Sequence, residues 1–159
     1  MSRFLAPAAL AAIAVACSVA SHAQTGPAPR DLGSSTSLAP ADDTLFIAFG
    51  GKAGLRALME DFFVRLKADA RIGSFFRNAD GERLVSQLTE QLCYESGGPC
   101  VYRGAPMKGV HRGLEIDRSD FNALVEVLQQ SMDAKGIAFR DQNRMLARLA
   151  PMHREIVTQ

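Results

Sequence analysis

Apolar side chains fall at Leu55, Leu58, Met59, Phe62, Phe63 and Leu66, the i, i+3, i+4, i+7, i+8 stripe of an amphipathic helix. The same period governs most of the chain as far as residue 157. Asp80 is placed to cap a helix carrying Leu84, Val85, Leu88 and Leu92 on one side, and Gly97, Gly98 and Pro99 stop it. Asp117 is placed to cap another, with Asp120 three residues on and Ile116 and Phe121 positioned to staple across the cap. That helix uses Phe121, Leu124, Val125, Leu128 and Met132 and ends at Gly136. A last stripe of Met145, Leu146, Leu149, Met152 and Ile156 contains Pro151, which bends it. No segment sustains the two-residue alternation of a strand. The fold class is all-α, because each stripe has to be covered by another helix.

The stripes leave the N-terminal part of the chain unassigned. Residues 1–23 carry one basic residue, Arg3, then a small-residue apolar run, and end in Ser21 and Ala23 before a cleavage position. They read as a secretory signal peptide. The run is short, rich in alanine and interrupted by Pro7, so no stable membrane span is expected. Residues 24–43, rich in Pro, Gly, Ser and Ala, read as a flexible linker, and the helical domain as 44–159. The domain is expected to be exported, and periplasmic in a bacterium. The alternative is a lipid anchor at Cys17, although Ala14 stands where a large aliphatic residue is usual. A formal net charge of +1 over 159 residues gives no pull toward nucleic acid. Removal of the leader leaves two cysteines, Cys93 and Cys100, on either side of the Ser96–Pro99 turn, and in an exported domain they are expected to form a disulfide.

One stretch breaks the helical pattern. Residues 96–118 have weak periodicity and glycines at 97, 98, 104, 109 and 113. Segments this long in a compact domain usually serve a function. It contains His111, four residues after Met107 and near Val110 and Leu114. A helical turn would put Met107 and His111 on one side. A histidine among apolar side chains suits haem, an apolar plate whose iron takes an axial ligand from the protein. A lone histidine on an apolar face is more often a buried residue with a hydrogen-bond partner, and the residues alone leave both readings open. Zinc is poorly served by a lone cysteine pair. There is no C-x-x-C-H for covalent c-type attachment.

The motifs "LFIAFGG", "LMEDFFVRLKADARIGSFF", "SGGPCVYRGAPMKGVHRGL" and "LAPMHREIV" occur in the order in which a group I truncated haemoglobin carries them. The resemblance covers essentially all of residues 44–157. It implies a shortened globin fold, a two-over-two helical sandwich around haem b. It also implies His111 as the proximal iron ligand and Phe76 as the aromatic on the haem face, with Tyr102 and Met107 as haem contacts. Ile116, Phe121 and Val125, with Leu114, are expected to continue the pocket. Lys108, with Arg83 and Arg112, is a candidate to meet the haem propionates. His153, near the chain end, is expected at the surface.

The distal side departs from the family. Many members carry a tyrosine where this chain has Phe63, and often a glutamine on the facing helix, where the resemblance places Leu84 and Leu88. Gln87 and Gln91 are set one helical step round, so neither is expected to point where Leu88 points. The alternative is that Gln87, Gln91 or Tyr94 supplies the missing hydrogen bond. The expected function is reversible binding of a diatomic gas (oxygen, nitric oxide or carbon monoxide). The alternative is a haem enzyme for nitric oxide dioxygenation or peroxide detoxification. No reductase domain is fused, so reduction would fall to a separate reductase, and the protein is expected to be a monomer or weak dimer.

Overall fold

The computed structural model describes residues 42–158. The expected leader, and the linker as far as residue 41, lie outside the described residues. Among the described residues seven α-helices occur in order: α1 (Thr44–Ala48), α2 (Gly51–Ala68), α3 (Gly81–Glu95), α4 (Met107–Val110), α5 (Arg118–Ala134), α6 (Phe139–Leu149) and α7 (His153–Ile156). Short 3-10 turns occupy Gly73–Phe76 and Ala150–Met152. No strand occurs among the described residues. None of the described helices is long and apolar enough to cross a membrane.

The helices start where their caps predict. The Asp80 carboxylate accepts the Arg83 backbone N–H at 3.1 Å. Asp117 and Asp120 form a reciprocal capping box, with bonds of 2.9 and 3.1 Å. Such caps are worth about 1 kcal/mol each. Asp42 and Asp43, the last two residues of the expected linker, belong to the fold. Asp43 stands at the N-cap of α1, while the Asp42 carboxylate accepts from the Thr44 hydroxyl at 2.6 Å and pairs with Arg144 at 3.3 Å.

α2 packs on α3 and α5, and α3 and α5 each touch α6, so one helical pair lies over another. Leu55, Leu58, Met59, Phe62 and Leu66 of α2 are buried against Val85 and Leu92 of α3, Ala123, Val127, Leu128 and Met132 of α5, and Met145 of α6. α1 closes one end with Leu45. Asp69 closes the other, accepting the Arg71 N–H at 2.8 Å and pairing with its guanidinium at 2.9 Å. That guanidinium, helped by the Arg71 N–H, holds the Asp69 carboxyl at about 2, well below the usual carboxylate range. Arg71 also reaches Glu126 of α5 at 2.6 Å, which fixes the corner bearing Phe76.

At the end of α3 the chain reverses sharply. Gly97 has φ +83°, and a side chain there would run into the Asp42 carbonyl. The reversal brings Cys100 back to Cys93, and the two are joined, with Cα atoms 5.8 Å apart. A loop of this size confers about 2.5 kcal/mol by the chain-entropy estimate. Thiol titration of the denatured, unreduced mature protein is expected to find essentially no free thiol, whereas about two per chain would refute the bridge.

Candidate functional site

The residues expected on the distal side lie where α2 meets α3. The ring of Phe63 lies flush against Gly81, so any side chain at 81 would displace it, and the Lys67 ammonium sits 5.5 Å above the ring. Gly81 is followed at i+3 and i+7 by Leu84 and Leu88, so these residues share one face of α3 with the Phe63 contact. Phe63, Leu88 and Phe76 are half-buried and pack on the core, and Leu84 is half-buried beside them.

The same stripe continues to position 91. Gln87 is exposed, as expected, but Gln91 is only 6% exposed. The expectation set both one step round from Leu88. Measured from Leu84, however, Gln91 is seven residues on, two turns of helix, and returns to almost the same bearing. The i, i+4, i+7 spacing of Leu84, Leu88 and Gln91 was the signal that could have found it. The Gln91 side-chain amide donates one of its two N–H groups to the Met152 thioether at 3.1 Å. Tyr94 is exposed.

The segment expected to form the proximal wall is a single helical turn. α4 starts after Pro106, whose fixed φ of −56° suits an entry to a helix. Its last turn is closed by the His111 N–H donating to the Met107 carbonyl at 3.2 Å. The imidazole Nδ1 lies 2.8 Å from the same carbonyl. A carbonyl can only accept, so Nδ1 carries the proton and Nε2 is left as the lone-pair donor. Met107, four residues earlier, is half-buried with His111, as the spacing predicts.

Ile116, Phe121 and Val125 are half-buried beyond this turn, Leu114 is 41% exposed and Val110 is 52% exposed. Tyr102 folds back so that its hydroxyl lies over Gly104, and burial pushes its phenol up, keeping it neutral. His153 is not the surface residue expected. It is half-buried, its ring edge-on to Phe121 at 4.7 Å between centroids. That contact joins α7 to α5, and α7 also packs against α4. Arg83, Lys108 and Arg112 are exposed and form no ion pair among the described residues.

This donor set fits haem. No group of three or more His, Cys, Asp or Glu side chains among the described residues could hold a metal ion. A lone imidazole with its second nitrogen anchored suits a metal whose other ligands arrive with the cofactor. The half-buried Leu84, Tyr102, Met107, Ile116, Phe121 and Val125 offer apolar surface that is not spent on the central core.

Comparison with known proteins places this arrangement. Residues 44–158 match the family model described as bacterial-like globin. A group 1 truncated haemoglobin of Mycolicibacterium paratuberculosis is 32% identical over 115 residues, covering 72% of this chain and 85% of that protein. A group 1 truncated haemoglobin of Tetrahymena thermophila is 30% identical over 95 residues, covering 60% of this chain and 78% of that one. Among solved structures, a Fe(III) truncated haemoglobin variant from Tetrahymena pyriformis superposes with a TM-score of 0.70 at 25% identity, over 73% of this chain and 99% of its own. A 2/2 haemoglobin from a Synechococcus species shares the fold, with a TM-score of 0.68 at 19% identity, over 72% and 98% of the two chains. The chain belongs to the bacterial-like globin family, among its group 1 truncated haemoglobins.

Proposed function

We propose that this haem-binding globin holds its iron through His111 Nε2 and takes up a diatomic gas on the opposite face. The observation that carries the reading is the 2.8 Å contact between His111 Nδ1 and the Met107 carbonyl. It sets the tautomer and turns the ring, and a ligating histidine anchored in this way is a better electron donor. Haem b supplies the iron at which the gas binds. Met107, Ile116, Phe121 and Val125 supply proximal apolar surface, Phe76 lies at the corner after α2, and Phe63, Leu84 and Leu88 face the gas. Lys108 and Arg112, with Arg83 across the cleft, meet the haem carboxylates, and Tyr102 packs beside them as a neutral phenol. With this distal set, reversible binding is favoured over oxidative chemistry. The leader pattern and the Cys93–Cys100 disulfide both support an exported, periplasmic protein.

Optical spectra of the purified full chain test this reading. A Soret band in the ferric and ferrous forms, shifted by carbon monoxide, is the expected result. A protein that takes up no haem on titration, or a ferrous form indifferent to carbon monoxide, would overturn it.

A further inference from the structure

The residues between the distal and proximal walls are held in an unusual way. Up to Cys100 the chain is well fastened. The Phe46 N–H donates to the Ser96 carbonyl at 3.2 Å, the Gly98 N–H to the Cys93 carbonyl at 2.8 Å, and the Cys100 N–H to the Gly98 carbonyl at 2.8 Å. After Cys100 the fastening stops. Residues 101–105 make no backbone–backbone hydrogen bond among the described residues, and the next such bonds are those that close α4 onto Pro106. Burial does little more, because Val101 is 67% exposed and Arg103 and Ala105 are exposed too. Tyr102 packs onto Gly104 of its own segment. α4 is a single turn whose main helical neighbour is α7. The wall carrying His111 is held on its far side by α7, by the Thr158 N–H to Ile116 carbonyl bond and by the capped start of α5, but on the Cys100 side its first firm fastening is the Cys93–Cys100 bridge.

We propose that this bridge is a redox-sensitive clasp that sets how firmly the His111 segment is held, and that a dithiol reductant opens it. The exchange has a defined direction. Cys93 is fully buried, with Gly98 and the ring of Phe46 packed around its sulfur, whereas Cys100 is only half-buried. One thiolate of the dithiol attacks the Cys100 sulfur and expels Cys93 as a thiolate, which takes up a proton. The second thiol of the reductant then resolves the mixed disulfide. The reductant ends as a disulfide and the protein gains two electrons and two protons as two thiols. Expelling a thiolate into apolar surroundings is unfavourable, so the clasp resists brief or weak reduction. Once it is open, the unfastened span extends back from Cys100 toward Gly98.

Two readouts test the clasp. The first needs no cofactor. Limited trypsin digestion of the haem-free full chain, with cleavage after Arg103 followed by mass spectrometry, is compared for the oxidised protein, the protein reduced with a dithiol and then alkylated, and Cys100→Ser. Cleavage is expected to be about tenfold faster in both opened forms, equivalent to about 1.4 kcal/mol of easier local opening. The second readout is haem transfer from the ferrous carbon monoxide form to an excess of an apo-globin acceptor, and this arm rests on the ligation proposed for His111. Transfer is expected to be several-fold faster after reduction. Circular dichroism on each form separates loosening of one segment from global unfolding. Rates within about twofold across oxidised and reduced forms, with the helical signal intact, would overturn the proposal. A normal haem spectrum in both states would leave the gas-binding reading standing.

Discussion

His111→Ala is expected to purify with little haem, and to regain a wild-type-like spectrum when imidazole is added. The side chain that is lost makes one contact within its own turn and sits at the end of a four-residue helix, so the apoprotein has little to lose. The haem-free variant should therefore unfold at nearly the same denaturant concentration as haem-free wild type. The difference appears on loading. A cofactor at about a thousand times its Kd stabilises a fold by about 4 kcal/mol, and each tenfold weakening of binding removes about 1.4 kcal/mol of that gain. The Met107 carbonyl remains to orient an imidazole diffusing into the space, which is why rescue is expected. His153→Ala is the control. His153 touches Phe121 rather than a backbone anchor, so that variant should keep its haem. If His111→Ala retains full haem content and the wild-type ferrous spectrum, while His153→Ala loses them, the assignment of the axial ligand is wrong.

The contrast between these histidines shows what could be read from sequence. Helices are legible where one period and a capping residue coincide, as at Asp117–Asp120, because the cap satisfies backbone donors within four residues and needs nothing from elsewhere. The half-burial of Met107 with His111 followed from the i, i+4 rule alone. His153 was misplaced because its environment is tertiary. Pro151 bends the last stripe through a 3-10 turn, and the bend swings the His153 ring onto Phe121 of a helix about thirty residues earlier. The burial of Gln91 is legible in part, because it lies two helical turns from Leu84 and returns to that bearing. Its partner, Met152, lies 61 residues away and could not have been named from spacing.

The engaged state of Gln91 bears directly on how the gas is held. Phe63, Leu84 and Leu88 offer no donor, Gln87 and Tyr94 are exposed, and the Gln91 amide donates to Met152. Oxygen gains partial negative charge when it binds haem iron, and a hydrogen bond to such a charged acceptor is worth about 1.5–3 kcal/mol. Without it, entry is unaffected and dissociation quickens by roughly tenfold for each 1.4 kcal/mol. Wild-type protein is therefore expected to release oxygen fast. Carbon monoxide, less polar when bound, should be affected much less. Phe63→Tyr puts a phenol on the ring that rests against Gly81, on the same face of α3 as Leu84 and Leu88, and should slow oxygen release by at least about tenfold on the same arithmetic. Gln91→Leu should change it little, since the Met152 thioether holds the Gln91 amide where it is. Stopped-flow dissociation of oxygen and of carbon monoxide for the wild type and both variants decides the matter. Slow wild-type oxygen release that Gln91→Leu accelerates would mean that the amide leaves Met152 for the gas. A wild-type rate unchanged by Phe63→Tyr would mean that position 63 does not face the ligand.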